Sequence, residues 1–309
     1  MNIKGKLKSL LYHQKKRGGI CHPISNKNGR NQIEYLYQYI LIGLCIGSVL
    51  FIAIKLITNS IDNTKIKEQQ KIMEELKKEI IVDTKEIYKT KEDMKNTMIL
   101  EAKIMPEYQS LYEENSELIG WLMIDDTVID YPVMQTLNDE SYYLNTDFNK
   151  EKNVNGSLIL DTDSIMGIGC KDNNYAEVGG VPPSTNLIIH GHTMKSGMMF
   201  GELNKYANQN YGTEHANIYF DSLYEKREYK VIAVFYSQVY MNSDDVFKYY
   251  KFFQANSKEE FDDWYENIKE MSLYDTEVTA EYGDEFITLS CCSYQVADGR
   301  FVVVGKRIK

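Results

Sequence analysis

Residues 285–308 read EFITLSCC-SYQVADG-RFVVVGKRI, and the organisation of the whole chain is easiest to see from this stretch outward. Two runs rich in β-branched and aromatic residues, 285–292 and 301–308, flank a short polar loop ending in the turn residues Ala297-Asp298-Gly299. Such runs favour extended backbone, and the loop between them favours antiparallel pairing. Pairing across the loop brings Arg300 back beside Cys292, which closes the first run. Adjacent residues of a strand face opposite ways, so Cys291 and Cys292 do not share a role by default. A cysteine ending a rigid strand can project into a cleft. Its thiol becomes a nucleophile when a base or a cation stands nearby, and the oxyanion formed on attack needs hydrogen-bond donors.

Upstream, six more short runs of the same kind occupy 120–124, 128–133, 156–160, 186–190, 216–220 and 229–237. Eight short strands in about 200 residues predict a barrel or a sandwich. One segment interrupts the series. Ser257 to Met271 (SKEEFDDWYENIKEM) begins with Ser and has Glu260 three residues on, a capping box, and sets Phe261, Trp264, Tyr265 and Ile268 on one face. It predicts a single amphipathic helix just before the Cys-bearing strand.

The N-terminal third differs. Residues 36–57 (LYQYILIGLCIGSVLFIAIKLI) are polar only at Gln38, Ser48 and Lys55. At ~1.5 Å per residue a helix of this length spans a hydrocarbon core of roughly 30 Å. Tyr35, Tyr37 and Tyr39 suit one interface, and Lys55 can snorkel to the other. Residues 1–60 carry nine Lys or Arg against the single acid Glu34, whereas the remainder carries 26 against 44 acids. This bias predicts a cytoplasmic N-terminus and everything after residue 58 outside. A cleaved signal peptide fits less well, since the run is long and no small-x-small site follows it; a buried core helix fits the charge bias poorly. So acidic an exported part, without a basic stripe, argues against nucleic acid as a partner.

Between residues 61 and 105, apolar side chains recur at Ile66, Met73, Leu76, Ile80, Ile87, Met94 and Met98, a helical stripe. Two readings stand: a solvated stalk that pairs as a coiled coil, or a helix packed on the globular part. Pro106 is read as its end, because proline cannot continue a helix without losing a hydrogen bond. The expected boundaries are thus 1–35 basic segment, 36–58 transmembrane helix, 59–107 helical stalk and 108–309 globular domain. The five cysteines, at 21, 45, 170, 291 and 292, match neither a metal site nor a disulfide framework.

Partners for Cys292 are few. Beyond the membrane run the histidines are His190, His192 and His215, and the arginines Arg227, Arg300 and Arg307. His190 and His192 end the run Leu187-Ile188-Ile189, and Gly191 is read as the turn that lets one imidazole reach inward.

Taken together, these segments resemble the sortase family of cysteine transpeptidases. Thr288-Leu289-Ser290-Cys291-Cys292 is similar to its signature Thr-Leu-x-Thr-Cys, followed by an arginine in Gly299-Arg300-Phe301-Val302-Val303-Val304-Gly305. Ile189-His190-Gly191-His192-Thr193-Met194-Lys195 and Met199-Phe200-Gly201-Glu202-Leu203 resemble the segment carrying the family histidine, whose place falls on His192. Gly120-Trp121-Leu122-Met123-Ile124, Ile129-Asp130-Tyr131-Pro132-Val133 and Tyr142-Tyr143-Leu144-Asn145 leading to Gly156-Ser157 add to the match, which covers about residues 108 to 309. The inserted helix resembles that of class B sortases. The resemblance implies a closed, mainly β barrel of about eight strands with N-terminal helices, and tips the stalk toward packing of at least its C-terminal half on the domain.

The resemblance also implies the chemistry. Cys292 is the expected nucleophile, His192 the acid/base and Arg300 the stabiliser of the oxyanion or peptide; Asn145, Ser293, Thr288 and Leu289 are candidates for orienting or substrate-binding roles. The expected substrate is a secreted protein with a C-terminal sorting motif, cleaved after threonine. The expected acceptor is an amine of a cell-wall peptidoglycan precursor. No metal or organic cofactor is implied. Rival readings are a pilus-type polymerase that uses a lysine of another subunit, and an inactive membrane-tethered interaction protein. Cys291 departs from the motif's threonine, and a vicinal thiol there is open to oxidation together with Cys292.

Overall fold

A computed structural model of the chain describes residues 27–87, 102–171, 175 and 180–309. The chain divides into two compact units, Met1–Ile57 and Thr58–Lys309. Helix α1 (Lys27–Ile87) contributes to both. In the first unit its side chains from Tyr37 onward, Leu41, Phe51 and Leu56 among them, are exposed, and the helix is long and apolar enough to cross a membrane. Cys21 and most of the basic segment lie outside the described residues.

In the second unit α2 (Pro106–Glu114) leads into β1 (Leu118–Met123), β2 (Asp130–Met134), β3 (Leu158–Leu160) and β4 (Asn186–Gly191). Then come α3 (Gln209–Glu214), β5 (Asn217–Ser222), β6 (Glu228–Gln238), α4 (Lys258–Met271), β7 (Phe286–Cys292) and β8 (Gly299–Arg307). The strands close into a barrel in the order β1-β2-β3-β4-β7-β8-β6-β5. β5 pairs back onto β1, so no sheet edge is left open. Two neighbours, β2 with β3 and β4 with β7, run parallel.

Alternation along β7 explains where the core sits. Ile287, Leu289 and Cys291 face the barrel interior with Leu187, Ile189, Phe200, Phe301 and Val303. Phe286 faces outward, where α4 covers the wall with Phe261, Trp264 and Ile268. Ser257 caps α4 by accepting from the Glu260 N–H at 3.2 Å, while the Glu260 carboxylate accepts from the Asn256 N–H at 2.9 Å, one residue earlier than in an ideal box. A β-bulge between Leu118 and Gly120 lets Leu118 and Trp121 share the outer face of β1.

That outer face is covered by α2 and by α1. Ile66 and Met73 are buried, Leu76 is partly so, and Gln70 donates to the Asp130 carbonyl at 2.7 Å. The Lys77 ammonium lies 4.0 Å from the Trp121 ring centroid, a cation–π contact. Packing therefore begins in the first turns of the stripe, earlier than its C-terminal half; the side chains of Ile80, Ile87, Met94 and Met98 lie outside those described. The reading of Pro106 is corrected. The proline opens α2 instead of ending a helix, because the first turn needs no N–H from its leading residue.

Candidate active site

Three strands set the site. Cys292 is the exposed last residue of β7, on the outward face shared by Phe286, Thr288 and Ser290, at the point where the cover ends. On one side it pairs directly with Arg300 of β8. On the other, β4 runs parallel with His190 beside Ser290 and Gly191 beside Cys291, so the next step brings His192 level with Cys292. His192, Cys292 and Arg300 form a row across three strands and together line an open cleft of about 400 Å³. Glu140, Ser141, Leu144, Ile159 and His190 also line it, with Gly191, Ser290 and Cys291 at its base.

The histidine ring is oriented by backbone. His192 Nε2 lies 2.7 Å from the Leu144 carbonyl oxygen, which can only accept, so Nε2 is the donor in this bond. Leu144 ends the 3₁₀ turn Tyr142–Leu144. Asn145, expected to orient the ring by its side chain, is exposed and one residue too far along; its carbonyl accepts from Asn153 N–H at 2.9 Å. Gly191 is no turn either. It continues β4, and a Cβ there would sit 2.5 Å from the Phe200 ring and 2.6 Å from Leu158, so the packed interior requires glycine.

The arginines sort themselves by partner. Arg227 is fully buried and bonds Glu225 at 2.8 Å, and Arg307 pairs with both Glu225 and Glu285 at 3.0 and 2.7 Å. Among the described residues no carboxylate forms an ion pair with Arg300: Nη1 donates to the carbonyls of Asp298 and Gly299 at 3.3 and 3.0 Å. Its charge remains available to a ligand in the cleft.

Cys291 points the other way, into the barrel, at 2% exposure. Burial pushes its thiol up to about 11, an inert form at neutral pH. Thr288 and Leu289 are corrected as site residues. The Thr288 hydroxyl donates to Asn186 Oδ1 at 2.8 Å inside the wall, and Leu289 is fully buried in the barrel core. Ser293 lies outside the cleft lining, where its N–H closes the loop onto Gly299 O at 2.8 Å.

Sequence reasoning missed several residues. Ser290 meets the Tyr249 hydroxyl at 2.7 Å under the cleft floor, and burial keeps that phenol neutral. His190 Nε2 bonds Asp161 at 3.0 Å, and Glu140 brings a carboxylate within 4.8 Å of both. Such a trio has the donor types of a divalent-cation site, yet two of its members already bond each other. No signal in the sequence joins positions 140, 161 and 190.

Comparison with known proteins settles the kinship. No protein-family model matches. Sortase B of Listeria monocytogenes is 30% identical over 231 residues, covering 74% of this chain and 84% of that protein. The chain belongs to the sortase B family. Sortase B of Staphylococcus aureus is 27% identical over 211 residues, covering 67% of this chain and 76% of its own. A solved sortase B from Bacillus anthracis superposes with a TM-score of 0.58 at 29% identity, covering 80% of this chain and 99% of that one. The chain is accordingly a sortase, a cysteine transpeptidase, on the barrel expected of it.

Proposed function

We propose that this sortase cleaves a C-terminal sorting motif of secreted proteins after threonine and joins the threonine to a cell-wall amine, with Cys292, His192 and Arg300 as its catalytic residues. The Cys292 thiol passes its proton to His192 as the sulfur attacks the threonine carbonyl carbon. The C–N bond breaks, and the departing amine takes its proton from His192. A thioester remains on Cys292. The incoming amine, from a peptidoglycan precursor, gives its proton to His192 and displaces the thiol. Arg300 holds the oxyanion of each tetrahedral intermediate or the peptide beside it.

The observation that carries this reading is the row of His192 just past the end of β4, Cys292 of β7 and Arg300 of β8, open to one cleft. Anchoring by the apolar half of α1, with the N-terminus in the cytoplasm and the barrel outside, sets the enzyme on the surface where a lipid-linked acceptor lies. The acidic balance of the remaining chain speaks against nucleic-acid substrates. The test is peptide cleavage by the full chain in detergent micelles, with mass analysis of the acyl-enzyme. Cys292→Ala is expected to abolish turnover and the adduct, whereas Cys291→Ala keeps both. Turnover by the Cys292 variant, or equal loss from both, would refute the assignment.

A further inference from the structure

The ladder between β4 and β7 has its last paired residues at Gly191 and Cys291, one step short of the level of the thiol and the imidazole. Beyond that point a side chain continues the tie. Thr193 Oγ1 donates to the carbonyl oxygen of Cys292 at 2.6 Å, the short end of the range for such bonds.

Thr193 is itself firmly held. It bridges to Met199, and the His192 carbonyl accepts from Phe200 N–H at 3.0 Å, so residues 192–200 form a closed turn. The Met199 N–H in turn donates to the Tyr131 hydroxyl at 3.1 Å, and Met199 and Phe200 are buried in the barrel core. On the opposite side Cys292 is tied to β8 by backbone pairing with Arg300. The nucleophile is thus fixed to the arginine strand by its ladder and to the histidine segment through the hydroxyl of residue 193.

We propose that Thr193 is a positioning residue of this sortase, whose hydroxyl sets the separation of the Cys292 thiol and the His192 imidazole by bonding the nucleophile's own carbonyl. It touches no reacting atom. The inference rests on the assignment of Cys292 and His192 in the proposed function. Proton transfer between thiol and imidazole depends steeply on their separation, and a misplacement of about 1 Å can cost about 100-fold in rate. Binding of the peptide along the cleft depends much less on this bond. Loss of the hydroxyl therefore shows in kcat and leaves KM nearly in place.

The experiment uses the full chain in detergent micelles and a sorting-motif peptide, with kcat and KM determined separately. Thr193→Val removes the hydroxyl and keeps the shape; Thr193→Ser keeps the hydroxyl; Thr193→Ala is a second chain without it, so the comparison does not depend on the valine variant folding. Val and Ala are expected to lower kcat about 10- to 100-fold with KM within about twofold, and Ser to stay within about threefold of the parent. The pH profile of Cys292 alkylation by iodoacetamide, read by peptide mass, is expected to shift in the Val and Ala chains and to stay in the Ser chain. A Ser variant as slow as Val, a loss confined to KM, or kcat within about twofold in both Val and Ala would overturn the proposal. Cys292→Ala and His192→Ala run alongside. If they lose turnover while the Thr193 variants keep it, the tie alone fails; if they keep turnover, the underlying assignment fails.

Discussion

Replacing Arg300 with alanine is expected to remove catalysis while leaving the fold almost untouched. The guanidinium contributes two hydrogen bonds to backbone carbonyls in a half-exposed position, a contribution of about 1 kcal/mol at most. In the reaction it stands one strand from the thiol, where paired residues have their Cβ atoms about 5 Å apart. A cation delivering hydrogen bonds to an oxyanion at that distance is worth about 3–4 kcal/mol, or roughly 100- to 1000-fold in kcat. Arg300→Lys keeps the charge and loses the planar fork, so it falls between the two. The assay is peptide cleavage beside urea unfolding followed by tryptophan fluorescence. Arg307→Ala is the counterpart, because it removes the cation shared by Glu225 and Glu285 and leaves them to Arg227 and Lys171. It is expected to destabilise by about 2–3 kcal/mol, the loss of charged hydrogen bonds in the barrel wall, while the folded fraction turns over normally. The reasoning is refuted if Arg300→Ala keeps more than about a third of kcat, or if it unfolds as readily as Arg307→Ala.

Cys291 and Cys292 should separate under alkylation. With its thiol pushed up to about 11 by burial, Cys291 is about 0.1% thiolate at pH 8, so iodoacetamide should label Cys292 first and reach Cys291 only as the pH climbs toward that value. Equal labelling at pH 8, mapped by peptide mass, would show that Cys291 does not face the barrel interior. Met73→Ala empties a buried position beneath Tyr108 and Trp121, and is expected to lower the urea stability of the 58–309 unit by about 2–5 kcal/mol. An unchanged midpoint would mean that α1 is a free stalk.

The strands were legible because their composition is local. All eight expected runs coincide with strands whose ends differ by no more than two residues, from 120–124 against β1 to 301–308 against β8. Closure was harder to read. Strand β8 is buried on both faces, with Val303 in the barrel core and Val302 and Val304 under α4, so its sequence shows no alternation to tell a barrel from a sandwich. The stalk was ambiguous for a related reason: a helical stripe reports a buried face without saying what buries it. Met73 answers that only once the outer side of β1 is in view, and Ile66 only once the barrel residues it packs with are.

The site divides along the same line. Proximity of Cys292 and Arg300 followed from a hairpin, whose pairing closes over a short loop. That of His192 did not, because β4 and β7 pair in parallel across about 100 residues, and the family motif supplied what spacing could not. The three side chains that the motif marks do line one cleft, and the backbone group that bonds His192 carried no such mark. A carbonyl belongs to every residue, so position 144 carries no signal of its task, and Asn145 is merely the nearest side chain with hydrogen-bonding capacity. Substitutions at Leu144 would leave the carbonyl where it is. The orientation of the ring depends instead on the turn Tyr142–Leu144, which is fixed by burial of Tyr143 and by the Ser157 N–H donating to the Tyr143 carbonyl at 2.9 Å. The orientation of the His192 ring is thus held by the packing of Tyr143 and by a main-chain carbonyl, with no side chain bonded to the ring among the described residues.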